Sequence, residues 1–166
     1  MRKQAPDAID LLDADHLAVH ALLQSWRELV QTSATPLQRR ALAEEICLEL
    51  AIHAKLEAEL FHPAMRDALR DPQLCDDAES LHATQRECIA RVLGTPPEDA
   101  LHEEAMAALA RCFEQHVRAQ REQVFNRALA ARVELHGLGR SITARREELR
   151  AAPEALREDA LGFARA

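Results

Sequence analysis

The stretch His53-Ala-Lys-Leu-Glu57-Ala-Glu-Leu-Phe61-His62-Pro63 sets an imidazole and a carboxylate four residues apart. On an α-helix, residues at i and i+4 share a face, so His53 and Glu57 can reach one point between helices. The same period adds Leu42, Ile46 and Leu50 before the pair and Leu60 after it, a stripe that is otherwise apolar. A carboxylate on such a stripe is costly unless an arginine or a metal neutralises it or the seam opens to solvent. The segment therefore reads as a helix over residues 37 to 70 whose inner face carries chemistry.

Three further segments repeat the pattern. Residues 8 to 32 carry Leu12, His16, Val19, Leu23, Trp26 and Val30; residues 77 to 93 carry Ala78, His82, Gln85, Ile89 and Val92. Residues 97 to 135 carry Leu109, Phe113, His116, Gln120 and Val124. Prolines and a glycine at Pro36, Pro72, Gly94, Pro96 and Pro97 separate the segments. The connections are short, which predicts an all-α bundle of four helices with successive helices antiparallel. Beyond Gly137 and Gly139, shorter helices are expected over 141 to 150 and 153 to 163, where Pro153 suits a first turn. Their apolar residues Ile142, Leu149, Leu156, Leu161 and Phe163 would cover one end of the bundle or meet a second copy or another protein.

Composition narrows the function. The chain has 166 residues, a formal net charge of -7 and no concentrated basic block, which argues against nucleic acid as a partner. With only 4 glycines and no tyrosine, the alanine-, leucine-, glutamate- and arginine-rich sequence favours helix. No apolar run approaches the roughly 20 residues that span a bilayer, and Met1-Arg-Lys-Gln-Ala-Pro-Asp7 precedes no signal core, so a cytoplasmic protein without a membrane partner is expected. Cys47, Cys75, Cys88 and Cys112 form no Cys-x-x-Cys unit and read as reduced thiols. Neither a phosphate-cradling glycine loop nor a nucleophile elbow is present.

All four stripes contain a histidine, and their spacing forms a faint repeat. His16 precedes His82 by 66 residues, His53 precedes His116 by 63, and Glu57 precedes Gln120 by 63. Four buried imidazoles without partners would be costly, whereas coordination of a first-row metal satisfies their nitrogens. The repeat thus predicts a two-fold arrangement of metal ligands.

Asp15-His16, the motif from His53 to Pro63, His82, and His116-Val-Arg-Ala-Gln120-Arg-Glu-Gln-Val-Phe125, in this order, resemble the hemerythrin-like, histidine-histidine-glutamate cation-binding family. The resemblance covers residues 8 to 132, with 139 to 164 as a helical extension of a single hemerythrin-like domain over 1 to 166. It implies an up-down-up-down bundle around a non-haem di-iron centre, often bridged by an oxo or hydroxo group. His16, His53, His82 and His116 would hold histidine-ligand positions, and Glu57 a bridging carboxylate position. Family members include oxygen carriers or sensors, nitric-oxide-responsive proteins and proteins implicated in repair of iron-sulfur centres. Gln120 departs from the family, which normally has a second bridging glutamate there. A neutral amide cannot imitate that carboxylate, so the centre is expected to be asymmetric, partly solvent-ligated or restricted to fewer metals, with one-metal or zinc occupancy among the outcomes.

Other polar residues read mainly as bystanders. Glu122 lies about 200° around the helix from Gln120 and pairs with outward-facing Glu59 in the repeat. His20 is an adjacent or surface histidine before it is a substitute ligand, and His62, His102 and His136 read as surface or capping residues. Glu79 is a solvated charge or helix-start contact more than an orienter of His82, and Arg86 a minor candidate for an anion or for screening Glu57. Glu49 and Cys112 lie one turn before His53 and His116, where either could support the site, although Cys112 is first a small buried thiol. Cys47 and Cys88 read as core spacers and Cys75 as a loop residue. The function expected is iron-dependent binding or sensing of dioxygen, peroxide or nitric oxide. The alternatives are a di-iron oxidoreductase or peroxide-processing enzyme, and a metal-stabilised interaction module.

Overall fold

The structure is a computed structural model that describes residues 5–162. Among these residues every regular element is helical. Helix α1 spans Ala8–Leu29, opened by Asp7, whose side chain accepts from the Asp10 backbone in a reciprocal capping box. Helix α2 spans Pro36–Leu56 behind a second capping box between Thr35 and Gln38. It continues through a π turn at Glu57–Phe61 into α3, His62–Leu69, which ends at Arg70 in the left-handed region. Helix α4 spans Pro72–Gly94, α5 Ala100–Ala119, and a second π turn at Gln120–Phe125 leads into α6, Asn126–Ala130. Helices α7, Leu135–Arg150, and α8, Pro153–Gly162, complete the described chain.

Caps explain where the boundaries differ from those expected. Asp71 accepts from Leu74 N–H at 3.2 Å, so α4 begins at Pro72 and takes Cys75 into its first turns, buried and not in a loop. Glu134 accepts from Gly137 N–H at 3.0 Å and starts α7 at Leu135, so both Gly137 and Gly139 lie inside the helix. Gly139 is needed there, because a Cβ would come within 2.9 Å of the Pro6 carbonyl oxygen where α7 crosses the start of α1. Phe163, expected on the last helix, lies outside the described residues.

Two apolar clusters hold the bundle. One gathers Leu12, Leu56, Phe61, Leu74, Val124 and Phe125. The other gathers Leu23, Leu50, Ile89, Met106, Leu109 and Phe113. Ile142, Leu149 and Leu156 are buried in the first cluster, so the apolar faces of α7 and α8 are engaged with the bundle itself. No helix among the described residues is long and apolar enough to cross a membrane.

Candidate metal centre

Between the two apolar clusters lies a polar layer. On α1, His16 follows Leu12 of one cluster and precedes Val19 of the other; on α2, His53 stands between Leu50 and Leu56. His116 likewise falls between Phe113 and Val124. His16, His53, Glu57, His82, His116 and Gln120 are all buried, and Glu57 is 0% exposed. The α-helical period thus delivers the expected residues to a common depth, where water cannot satisfy them.

Glu57 is the hub. Its Oε1 lies 3.2 Å from His53 Nε2 and accepts a hydrogen bond from the Gln120 amide. Its Oε2 lies 2.5 Å from His82 Nε2 and 3.3 Å from His116 Nε2. The ligand atoms of His16, His53, Glu57 and His116 lie within 4.8 Å of one another, and so do those of Glu57, His62 and His82. The same carboxylate therefore belongs to two adjoining groups of imidazoles.

Around the hub, a chain of charge reaches outward. His53 Nδ1 lies 3.2 Å from Asp15 Oδ2, and the same oxygen accepts from Arg146 of α7 at 2.7 Å. With Nδ1 donating to Asp15, Nε2 faces Glu57, where a cation would take the place of the Nε2 proton. His16 has Phe113 at 6.2 Å edge-on and Phe125 stacked at 6.1 Å, centroid to centroid. These walls keep one side of the layer dry.

Electrostatics separate the imidazoles. Burial, reinforced by the neighbouring His53, brings the His16 pKa down to about 3, and burial lowers His62 to about 4. Burial also disfavours a charged His53, but the Glu57 carboxylate and Asp15 outweigh it and raise that ring to about 9. Glu57 stays ionised despite the desolvation of its site, because His53 and His116 hold its carboxyl well below the usual range. Neither nitrogen of His16, neither nitrogen of His62, nor Oε1 of Gln120 makes a hydrogen bond among the described residues. Buried neutral imidazoles with unused lone pairs around an ionised carboxylate fit a metal cation, which would take up those lone pairs and offset that charge.

Several sequence readings need correction. His62 is not a surface residue: it is 4% exposed, with its ring centroid 4.8 Å from that of His82. A surface or capping role is expected from its place beside Pro63 near a local kink; the distortion is a π turn, which carries the ring inward. His102 is also buried, 5.5 Å from the Trp26 ring, because it sits inside the first turn of α5 on the apolar face. His136 is half-buried near the start of α7. His20 is exposed and apart from the cluster. Glu79 pairs with Arg66 at 2.6 Å, and Glu122 faces solvent. Glu49 pairs with Arg150 at 3.1 Å; the half-buried Cys112 thiol contacts Cys88 at 3.2 Å and lies outside both ligand groups. Asp15 and Arg146 were missed as supports; the adjacency of Asp15 to His16 was the only local cue, and Arg146 had none.

The family model described as the hemerythrin HHE cation binding domain matches residues 7–128. The chain belongs to the hemerythrin family. Uncharacterised proteins of Mycobacterium tuberculosis and Mycobacterium bovis are each 26% identical to it over 153 residues, covering 89% of this chain and 89% of the relative. A crystal structure of a hemerythrin HHE cation binding domain-containing protein from Mycobacterium kansasii, a homologue of that tuberculosis protein, matches with a TM-score of 0.75 at 24% identity. The match covers 96% of this chain and 97% of the other, and it extends the shared fold beyond the hemerythrin family span into α7 and α8. Family and histidine-glutamate cluster together make this a metal-binding protein.

Proposed function

We propose that this hemerythrin-family chain is a non-haem iron protein that binds or senses dioxygen, peroxide or nitric oxide through a two-metal centre in an up-down-up-down bundle. One observation carries the reading: Glu57 turns one oxygen toward His53 and the other toward His82 and His116. A carboxylate so disposed can join two cations. His16, His53, Glu57, His82 and His116 are the proposed ligands. The mixed imidazole and carboxylate set contains no thiolate and offers more donors than a closed four-coordinate zinc site uses, which favours iron.

Iron would supply the redox chemistry and a coordination position for the small molecule. The chain supplies the rest. Asp15 orients His53, while Phe113 and Phe125 shield the His16 side from water. His62, His116 and Gln120 line a cavity of about 20 Å³ with Leu74, Leu81 and Val124, enough for a molecule the size of one water. A space of that size beside the imidazoles suits a small ligand such as a diatomic gas.

Metal analysis with optical spectra of freshly purified, reduced and oxygen-exposed protein tests the proposal. Two irons per chain and a spectrum that changes with the gas are expected; stable zinc binding with no redox response would overturn it. Repeated product formation with an electron donor would identify an enzyme in place of a sensor or carrier.

A further inference from the structure

We infer that His62 is a ligand of the second metal position, completing a set with His82 and Glu57. The inference rests on the two-metal reading above, and it places a ligand at a residue outside the His-x-x-x-Glu pattern.

The argument begins with backbone geometry. In an α-helix five residues turn about 500°, so a residue at i+5 lies about 140° away from the first. His62 should then point away from Glu57. In the structure the His62 backbone N–H donates to the Glu57 carbonyl, the i to i+5 bond that defines a π turn, and the extra residue stacks the two side chains on one face. His62 enters the polar layer by this means alone.

Once there, it has no other occupation. The ring is 4% exposed, and neither nitrogen has a hydrogen-bond partner among the described residues. A neutral imidazole so buried loses its hydration without compensation unless a cation takes a lone pair. Its ligand atom lies within 4.8 Å of those of Glu57 and His82, which supply one carboxylate oxygen and one further imidazole. Histidine, histidine and a bridging carboxylate form a three-ligand set with positions left open, next to the 20 Å³ cavity that His62 itself lines.

The internal repeat shows what is special about this half. Adding the offset of 63 to Glu57 gives Gln120, and adding it to His62 gives Phe125. The second half also has a π turn, Gln120–Phe125, and there the residue brought inward is the phenyl ring stacked on His16. One π turn therefore presents a donor and the other an apolar wall. The half that keeps its carboxylate gains an imidazole, and the half that lost its carboxylate gains none. The donors are redistributed toward the His82 side.

The test is the metal stoichiometry of His62→Phe, which copies the residue at the repeat-related position. With cobalt(II) as probe, wild type should hold about two ions per chain, and the variant about one, with the weaker site's dissociation constant raised at least about 10-fold. Two ions held with unchanged affinity in the variant would overturn the assignment of His62. A wild type that holds one ion or none would instead overturn the two-metal reading. Should His62→Phe not fold, the cobalt(II)-loaded wild type decides by proton NMR. Five hyperfine-shifted, exchangeable imidazole N–H signals support five histidine ligands, and four overturn the inference.

Discussion

Gln120 donates a hydrogen bond through its amide to Glu57 Oε1, so the residue that the internal repeat pairs with Glu57 acts on that carboxylate directly. It holds one oxygen of the hub in place while contributing no charge. Gln120→Glu should reverse both effects. Metal-loaded protein is expected to retain its second ion more tightly, as shown by a slower loss to a competing chelator. Metal-free protein is expected to lose stability, because two carboxylates would then meet at a buried point. Unchanged ion retention would mean that residue 120 does not face the metals.

Arg146 and Asp15 extend the site to α7. Arg146→Met keeps the aliphatic stem but releases Asp15, which then orients His53 less firmly. Metal affinity should fall by about 10- to 100-fold, the usual cost of losing an outer-shell partner. Titration against a chelator of known affinity measures this, and circular dichroism should show the helices intact.

Protons compete with the fold in a defined sense. In the metal-free protein His16 and His62 sit below the ordinary histidine value of 6.5, at about 3 and about 4. The unfolded chain then binds more protons, so this contribution is present above pH 6.5 and is lost as pH falls through about 4 for His62 and about 3 for His16. His53, raised to about 9, contributes in the opposite sense: fully below pH 6.5, with loss as pH rises through 9. Thermal melts with excess chelator should therefore show a maximum near pH 6.5 and a decline on both sides. A melting temperature that climbs steadily from pH 5 to 9 would contradict the assignment.

Gly139 gives a test of packing without chemistry. In Gly139→Ala the new methyl would sit 2.9 Å from Pro6 O and 3.0 Å from the Asp7 carbonyl carbon, both backbone atoms. Separating α7 from the start of α1 should cost about 1–3 kcal/mol. At about 3 °C per kcal/mol for a chain of this size, calorimetry resolves the shift.

How far the site was legible depended on which periodicity each residue obeys. His16, His53, Glu57, His82 and His116 lie on α-helical stripes, and those stripes were visible because leucine, isoleucine and valine outline them. His62 was hidden because its placement follows a π turn, whose i to i+5 bond carries no compositional mark. Asp15 and Arg146 stand 131 residues apart, and only the packing of α7 on α1 brings them together. Cys75 reads as a loop residue because Pro72 suits a breaker as well as a first helical residue; the Asp71 cap decides for the latter.

Because Arg146 reaches Asp15 from α7, the proposed metal site draws on more of the chain than the family model matches. A fragment trimmed at residue 128 would keep the five proposed ligands and His62, yet it would remove Ile142, Leu149 and Leu156 from the cluster that holds Leu12 and Phe61 and leave Asp15 without its guanidinium. Such a fragment should bind its ions loosely and aggregate. On the proposed site, α7 would act as an external brace for ligands carried by other helices.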